Sequence, residues 1–157
     1  MTLLYLGADH AGFALKERLK QYLESKGFLI RDFGAWEYDK NDDYPDYAIP
    51  VAEMTVRTKG KGILVCGSAE GIAIAANKVR GARAVPVWDV ASAKLSRSHN
   101  DANILCLAGG KTVTRAKGIG LSLPKAKKIV DAWLATPFSS EQRHLRRLKK
   151  IEHYENR

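Results

Sequence analysis

Apolar and polar positions follow one another along this chain in two rhythms. Short apolar-rich runs at Leu3 to Leu6, Phe28 to Phe33, Gly62 to Val65, Arg83 to Val87 and Ile104 to Leu107 have the length and aliphatic content of buried strands. Between the first two, Leu15, Leu19 and Leu23 recur every four residues, which lays them along one face of a helix. Lys16, Glu17 and Lys20 are expected on its outside, and Gly27 ends it. Further helices are expected from about Asp46 to Thr58, from Gly71 to about Lys78, and from Asp89 to about Ser98, with Asp89 as N-cap. In the carboxyl-terminal third, Ile129, Val130, Trp133 and Leu134 form an apolar stripe that Thr136-Pro137 terminates. A last helical segment runs from Ser139 to about His153.

Regular alternation of strand and helix predicts an α/β fold. Its expected form is a three-layer, doubly wound, five-stranded parallel sheet of the Rossmann-like type with right-handed crossovers. The 157 residues make one domain, 1–157, with no internal repeat or low-complexity tract.

Composition narrows the classes. Only two cysteines occur, Cys66 and Cys106, and there is no signal-peptide pattern and no apolar run longer than a strand. A soluble, cytoplasmic protein with free thiols is expected, rather than a disulfide scaffold or a membrane protein. The formal net charge of +9 would steer any polyanion, nucleic acid included. The aromatics are not interleaved with the basic residues as a base-stacking platform requires, so a nucleic-acid partner is not expected.

Chemistry concentrates where the apolar runs end. After Gly62 to Val65 come Cys66-Gly67-Ser68-Ala69-Glu70-Gly71, a thiol, a hydroxyl and a glycine-rich turn whose N–H groups can face negative charge. The plain alternative is a strand-to-helix turn with a buried cysteine and a serine cap. The first run ends in Gly7-Ala8-Asp9-His10-Ala11-Gly12, where Asp9 alone reads as an N-cap. The helix around Lys94 ends in Ser96-Arg97-Ser98-His99-Asn100-Asp101, where His99 alone reads as a solvated helix-end residue. Taken as three strand-end clusters, these are expected at one edge of the sheet. Asn77 and Lys78 are explained by helix-end hydrogen bonding, and Cys106, in mid-strand, by the core.

Gly7 to Gly12, Asp43-Tyr44-Pro45, Cys66 to Lys78, Gly81-Ala82-Arg83-Ala84, Leu95 to Asn103 and Val130 to Leu134 together resemble the type B ribose-5-phosphate isomerases, a family that includes galactose-6-phosphate isomerase subunits. The matches keep the family's order over nearly the whole chain. The resemblance implies an aldose–ketose isomerase working without metal or organic cofactor on D-ribose 5-phosphate and D-ribulose 5-phosphate. A six-carbon aldose phosphate is the alternative, and a non-catalytic phosphate- or nucleic-acid-binding module a more distant one. It implies Cys66 as the proton-shuttling base, His99 for ring opening, Asp9 at the sugar hydroxyls, and Ser68 with the amides of Gly67, Ala69, Glu70 and Gly71 at the enediolate. His10, Arg143 and Arg147 would bind phosphate, while Tyr44 and Asn100 line the pocket. Arg143 and Arg147 lie one turn apart, so both guanidinium groups can reach one anion. By the same resemblance, residues 139–157 pack on a partner subunit and supply those arginines to it, in a homodimer or a dimer of dimers.

Four departures are specific to this chain. Ser68 stands where cysteine-type members commonly carry threonine, and Ala69-Glu70 brings an acidic side chain to the rim of the loop. Lys111 falls where relatives usually place an arginine, and a lysine offers a point charge in place of a two-pronged fork. The segment from Thr112 to Pro124 is longer than the family pattern leads one to expect.

Overall fold

The computed structural model of the protein describes residues 3–110, 112–113 and 116–157. Its elements alternate as the apolar rhythm requires: β1 (Leu3–Ala8), α1 (His10–Ser25), β2 (Leu29–Asp32), α2 (Pro45–Thr58), β3 (Lys61–Cys66), α3 (Glu70–Ala76), β4 (Ala84–Pro86), α4 (Val90–Asn100) and β5 (Ile104–Ala108). A two-stranded antiparallel ribbon, β6 (Thr112–Val113) with β7 (Ala116–Lys117), follows, then α5 (Leu123–Ala135) and α6 (Gln142–Glu155). The ribbon falls in the segment whose length stands out in the sequence, and no apolar run announces it.

Short polar side chains start the helices. Asp9 accepts the Gly12 amide at 3.1 Å, Asp89 the Ser92 amide at 2.7 Å, and Ser122 the Lys125 amide at 3.4 Å, each satisfying a donor that a first helical turn leaves open. Proline opens α2 and α5, where its missing N–H costs nothing.

The five main strands are parallel, in the order β2-β1-β3-β5-β4. Leaving β1, the chain goes one way to β2 and then crosses to the other side for β3, so the order reverses between β1 and β3. Helices flanking such a reversal diverge and leave a crevice at the carboxyl edge of the sheet. Strand residues divide by parity. Leu4, Leu6, Ile63, Val65, Leu105 and Leu107 pack under α1, α4 and α5 around fully buried Trp133, while Tyr5, Leu64, Ile104 and Cys106 pack under α2 and α3. Cys106 is wholly enclosed there, as its mid-strand position predicts.

Lys16 corrects the expected outer face of α1. It is fully buried, with Nζ 2.8 Å from both oxygens of Asp32 at the end of β2 and 2.6 Å from the Ala35 carbonyl. The four-carbon stem fills apolar space while the ammonium reaches these three acceptors and, at 2.9 Å, the carboxylate of Glu17, a placement that leucine spacing alone does not reveal. Burial alone would raise the Asp32 pKa, but Lys16, the Gly34 amide and Lys20 hold it below the usual carboxylate value.

The outermost helix is α6. It meets the rest of the chain where the His144 ring stacks on His99 of α4, with centroids 4.3 Å apart, and where the Gly81 amide donates to Glu155 at 3.2 Å. Ile151 and Tyr154 stay 52% and 70% exposed, so α6 keeps apolar surface that its own chain does not cover.

Asp32→Ala should cost about 3–5 kcal/mol in urea unfolding, because it leaves Lys16 buried without its main counter-charge. Because the folded-state pKa of Asp32 is depressed, its contribution is present above the unfolded carboxylate pKa and is lost as pH falls through the lower folded value. The acid limb of wild-type stability should therefore flatten in the variant.

Candidate active site

Two loops leave the carboxyl edge at the reversal point, and they are locked together. The Asp9 amide donates to the Val65 carbonyl at 3.3 Å, and a Cβ at Gly12 would collide with that same carbonyl. Only glycine lets the start of α1 lie this close to the end of β3. A third segment closes on them: Gly109 donates to the Cys66 carbonyl at 2.8 Å, and Gly110 to that of Gly67 at 3.1 Å.

Cys66 ends β3 at 3% exposure, beneath the loop it begins. Ala69, fully buried, adopts a left-handed φ of 69°, and this turn aims the loop amides back at the sulfur. Burial pushes the Cys66 pKa up; the amides of Ile72, Ser68 and Ala69 pull it down, Asp9 pushes it up further, and the net effect is upward. The amides that the glycine-rich turn predicts are in place, yet within one chain they do not outweigh desolvation.

Asp9 is buried, and its own pKa is raised chiefly by that burial, against the Gly12 amide and His10. His10 opens α1 with Nδ1 2.6 Å from Asp42 Oδ1, and its amide donates to the same oxygen at 2.9 Å. Donor atoms of Asp9, His10 and Asp42 lie within 4.8 Å of one another, a grouping that sequence spacing does not display. Those atoms are already engaged with one another and with the Gly12 amide, so the group reads as a hydrogen-bond network.

Tyr44 stands over the Cys66 loop: a Cβ on Gly71 would come within 2.8 Å of its ring carbon Cζ. The Glu70 side chain is exposed, and its amide donates to Ser68 Oγ at 3.3 Å. Lys111 lies outside the described residues. Asn77 caps the end of α3, its backbone amide donating to the Ala73 carbonyl at 3.0 Å, and its side chain bonds both backbone groups of Ala84 at 2.8 Å, fastening α3 to β4.

One chain therefore gathers Asp9, His10, Tyr44, Cys66, Gly67, Ser68, Ala69, Glu70 and Gly71 at one edge. It does not bring His99, Asn100, Arg143 or Arg147 there. Helix α4 leaves the carboxyl edge after β4 and runs back, so its last residues lie where the strands begin. Arg83, just before β4, donates to the Asn100 carbonyl at 3.1 Å. The length of β5, about 15 Å, separates that end from the Cys66 loop. The expectation that three strand-end clusters share an edge fails for the third, because it ends a helix and not a strand. Arg143 and Arg147 are exposed on α6, the first bonded to Glu141 at 2.9 Å.

Residue 42 is the site-adjacent position that sequence reasoning passed over. Asp42 precedes the quoted Asp43-Tyr44-Pro45 by one residue, and only the fold shows it meeting His10 across 32 positions.

The fold and these loops define a doubly wound α/β protein that presents a thiol and converging amides in the crevice of a parallel sheet. The family model described as Ribose/Galactose Isomerase matches residues 4–151, and the chain belongs to that family of isomerases. Among curated relatives, ribose-5-phosphate isomerase B of Mycobacterium tuberculosis is 44% identical over 153 residues, covering 97% of this chain and 89% of the relative. The Escherichia coli ribose-5-phosphate isomerase B is 40% identical over 158 residues, covering 100% and 99%. Among solved structures, the Clostridium thermocellum ribose-5-phosphate isomerase B superposes with a TM-score of 0.89 at 37% identity, covering 99% and 98%. The Mycoplasma genitalium enzyme with bound ribulose-5-phosphate gives 0.89 at 36%, covering 99% and 97%.

Because burial keeps the Cys66 thiol protonated, its alkylation by iodoacetamide in the free protein should be slower at pH 7 than that of free cysteine and should accelerate only above the ordinary thiol pKa. Mass spectrometry of the Cys66 peptide reads this directly, and fast alkylation at neutral pH would contradict it.

Proposed function

We propose that this protein interconverts D-ribose 5-phosphate and D-ribulose 5-phosphate. The observation that carries the reading is the Cys66 thiol under the amides of Ser68, Ala69 and Ile72, beside Asp9 in the sheet crevice. The family membership and the ribulose-5-phosphate complex of the Mycoplasma genitalium relative support it.

The reaction needs a ring-opening proton transfer, removal of the C2 proton and its return to C1. The Cys66 thiolate takes the proton from C2 as the carbonyl oxygen on C1 becomes an enediolate oxygen. The resulting thiol then returns the proton to C1 while the O2 proton passes to O1, so that the carbonyl forms at C2 and O1 becomes the hydroxyl of the ketose. Positioned proton transfer is worth about 10²–10⁴ in rate, and each oxyanion donor about 10²–10³. Ser68 and the loop amides from Gly67 to Gly71 serve the enediolate, Asp9 and Tyr44 the sugar, and His10 the phosphate.

The remaining groups come from a second copy. His99 and Asn100 end α4 at the amino edge beside α6, which also bears Arg143 and Arg147 and keeps an uncovered apolar strip. A two-fold pairing that lays this end against the partner's crevice buries that strip and completes two equivalent sites. The stacked His144 has its pKa lowered by burial and by His99, so it stays neutral and leaves His99 to move the proton in ring opening. Cations arriving from the partner also oppose the desolvation that keeps Cys66 protonated. The homodimer, or a dimer of dimers, is thus part of the mechanism, and the unpaired thiols suit the reducing cytoplasm. Among the described residues no helix is long and apolar enough to cross a membrane.

The test is isomerisation of ribose 5-phosphate by purified protein, with galactose and allose 6-phosphates in the same assay. Pentose phosphate turnover should fall at least about 10³-fold in Cys66→Ala. Turnover of a six-carbon phosphate alone would reassign the substrate, and phosphate-ester binding without any turnover would reassign the protein as a binding module.

A further inference from the structure

The carboxylate of Asp42 sits in an unusual position for a loop residue. Its side chain is only 7% exposed, one oxygen is shared between the His10 ring and the His10 amide, and Oδ2 is buried with no hydrogen-bond partner among the described residues. A buried carboxylate with an orphan oxygen is costly unless a cation lies against it. The group in contact with Asp42 that can supply such a charge is the His10 imidazole. Next to it, the Tyr47 phenol is pushed up to about 12 by burial, by its hydroxyl's approach to the Asp42 carboxylate and by the charge there, so Tyr47 stays a neutral polar neighbour and adds no competing charge.

We propose that Asp42 is a positioning residue that holds His10 as an imidazolium, with Nδ1 committed to the carboxylate and Nε2–H left as the donor for the substrate phosphate. The proposal rests on the reading of His10 as a phosphate ligand. One ring nitrogen is spent on Asp42 at 2.6 Å, and the histidine side chain remains 33% exposed, so its other nitrogen is the one a ligand can reach. The Tyr38 ring stands edge-on to the imidazole, centroids 6.1 Å apart at 86°. The same Asp42 oxygen anchors the first amide of α1, so ring orientation and helix start share one acceptor.

Three carboxylates bear on His10: Asp42 in contact, Asp9 from the β1–α1 junction, and Asp39 from the loop that also carries Tyr38. Together they raise its pKa, the bond to Asp42 most, against a smaller opposing effect of burial. Arg143 and Arg147 of a second copy would act in the opposite sense. A folded pKa above the ordinary 6.5 means the charge is held below 6.5 and is lost only as pH rises through the raised value. Phosphate binding that depends on this charge should therefore extend to higher pH than an isolated histidine would allow.

Asp42→Asn is the informative change, because the amide oxygen still accepts the His10 N–H while the charge is gone. The KM for ribose 5-phosphate should rise about 3–10-fold just above pH 6.5, with kcat within about twofold, and the pH at which KM begins to climb should move downward. Titration of the His10 ring by NMR in the unliganded protein should give a pKa above 6.5 in the wild type and a lower one in Asp42→Asn. His10→Ala separates the two readings. If it leaves KM unchanged, His10 is not a phosphate ligand; if it raises KM while Asp42→Asn changes neither KM nor the His10 titration, the role of Asp42 is overturned. Should Asp42→Asn fail to fold, the wild-type titration still decides, since a His10 pKa at or below 6.5 refutes the proposal.

Discussion

In a parallel sheet each strand must be followed by a connection that returns the chain to the edge where strands begin, and that constraint organises everything here. Loops that follow strands gather at the carboxyl edge, which is why Asp9, His10 and the Cys66 loop meet. Residues that end crossover helices are delivered to the opposite edge, which is why His99 and Asn100 do not. A chain of this topology has its polar chemistry split between two ends of one sheet, and a second copy is the economical way to join them. The bare apolar strip on α6 belongs to the same helix whose His144 stacks on His99, the surface on which the proposed pairing relies.

Within the crevice, close backbone approach and desolvation pull in different directions. Gly12 lets α1 begin against the Val65 carbonyl, and the left-handed turn at Ala69 folds amides over the sulfur. Those features favour a thiolate, while the depth that makes them possible favours the thiol. The balance tips toward protonation in the isolated chain. On the proposed reading, a base that gains its charge only when cations and substrate close the site is kept out of wasteful reactions in the meantime. The His10–Asp42 pair has the opposite character, because its contact is made within one chain.

Much of this was legible from residue order. The five apolar runs became the five parallel strands, the caps at Asp9 and Asp89 are where short acceptors before helical spacing put them, and Cys106 lies in the core. Boundaries moved by a residue or two, since strand ends and first turns are set by neighbours rather than by propensity. What escaped the sequence were long-range polar pairings. Lys16 reads as a surface lysine until Asp32 and the Ala35 carbonyl appear beside it, and Asp42 reads as a loop acid until His10 does. The edge of His99 has another cause: the motif Ser96 to Asp101 straddles a helix end, so it precedes a strand instead of following one.

The central claim is that a complete site takes Cys66 from one copy and His99 with the α6 arginines from another. Complementation tests it most directly: Cys66→Ala and His99→Ala/Arg147→Ala proteins, each inactive alone, are unfolded together, refolded as a mixture and assayed on ribose 5-phosphate. Random pairing should restore about a quarter of wild-type activity, since half the dimers are mixed and each of those carries one intact site. A mixture that stays as inactive as its components would mean that each site is built within a single chain.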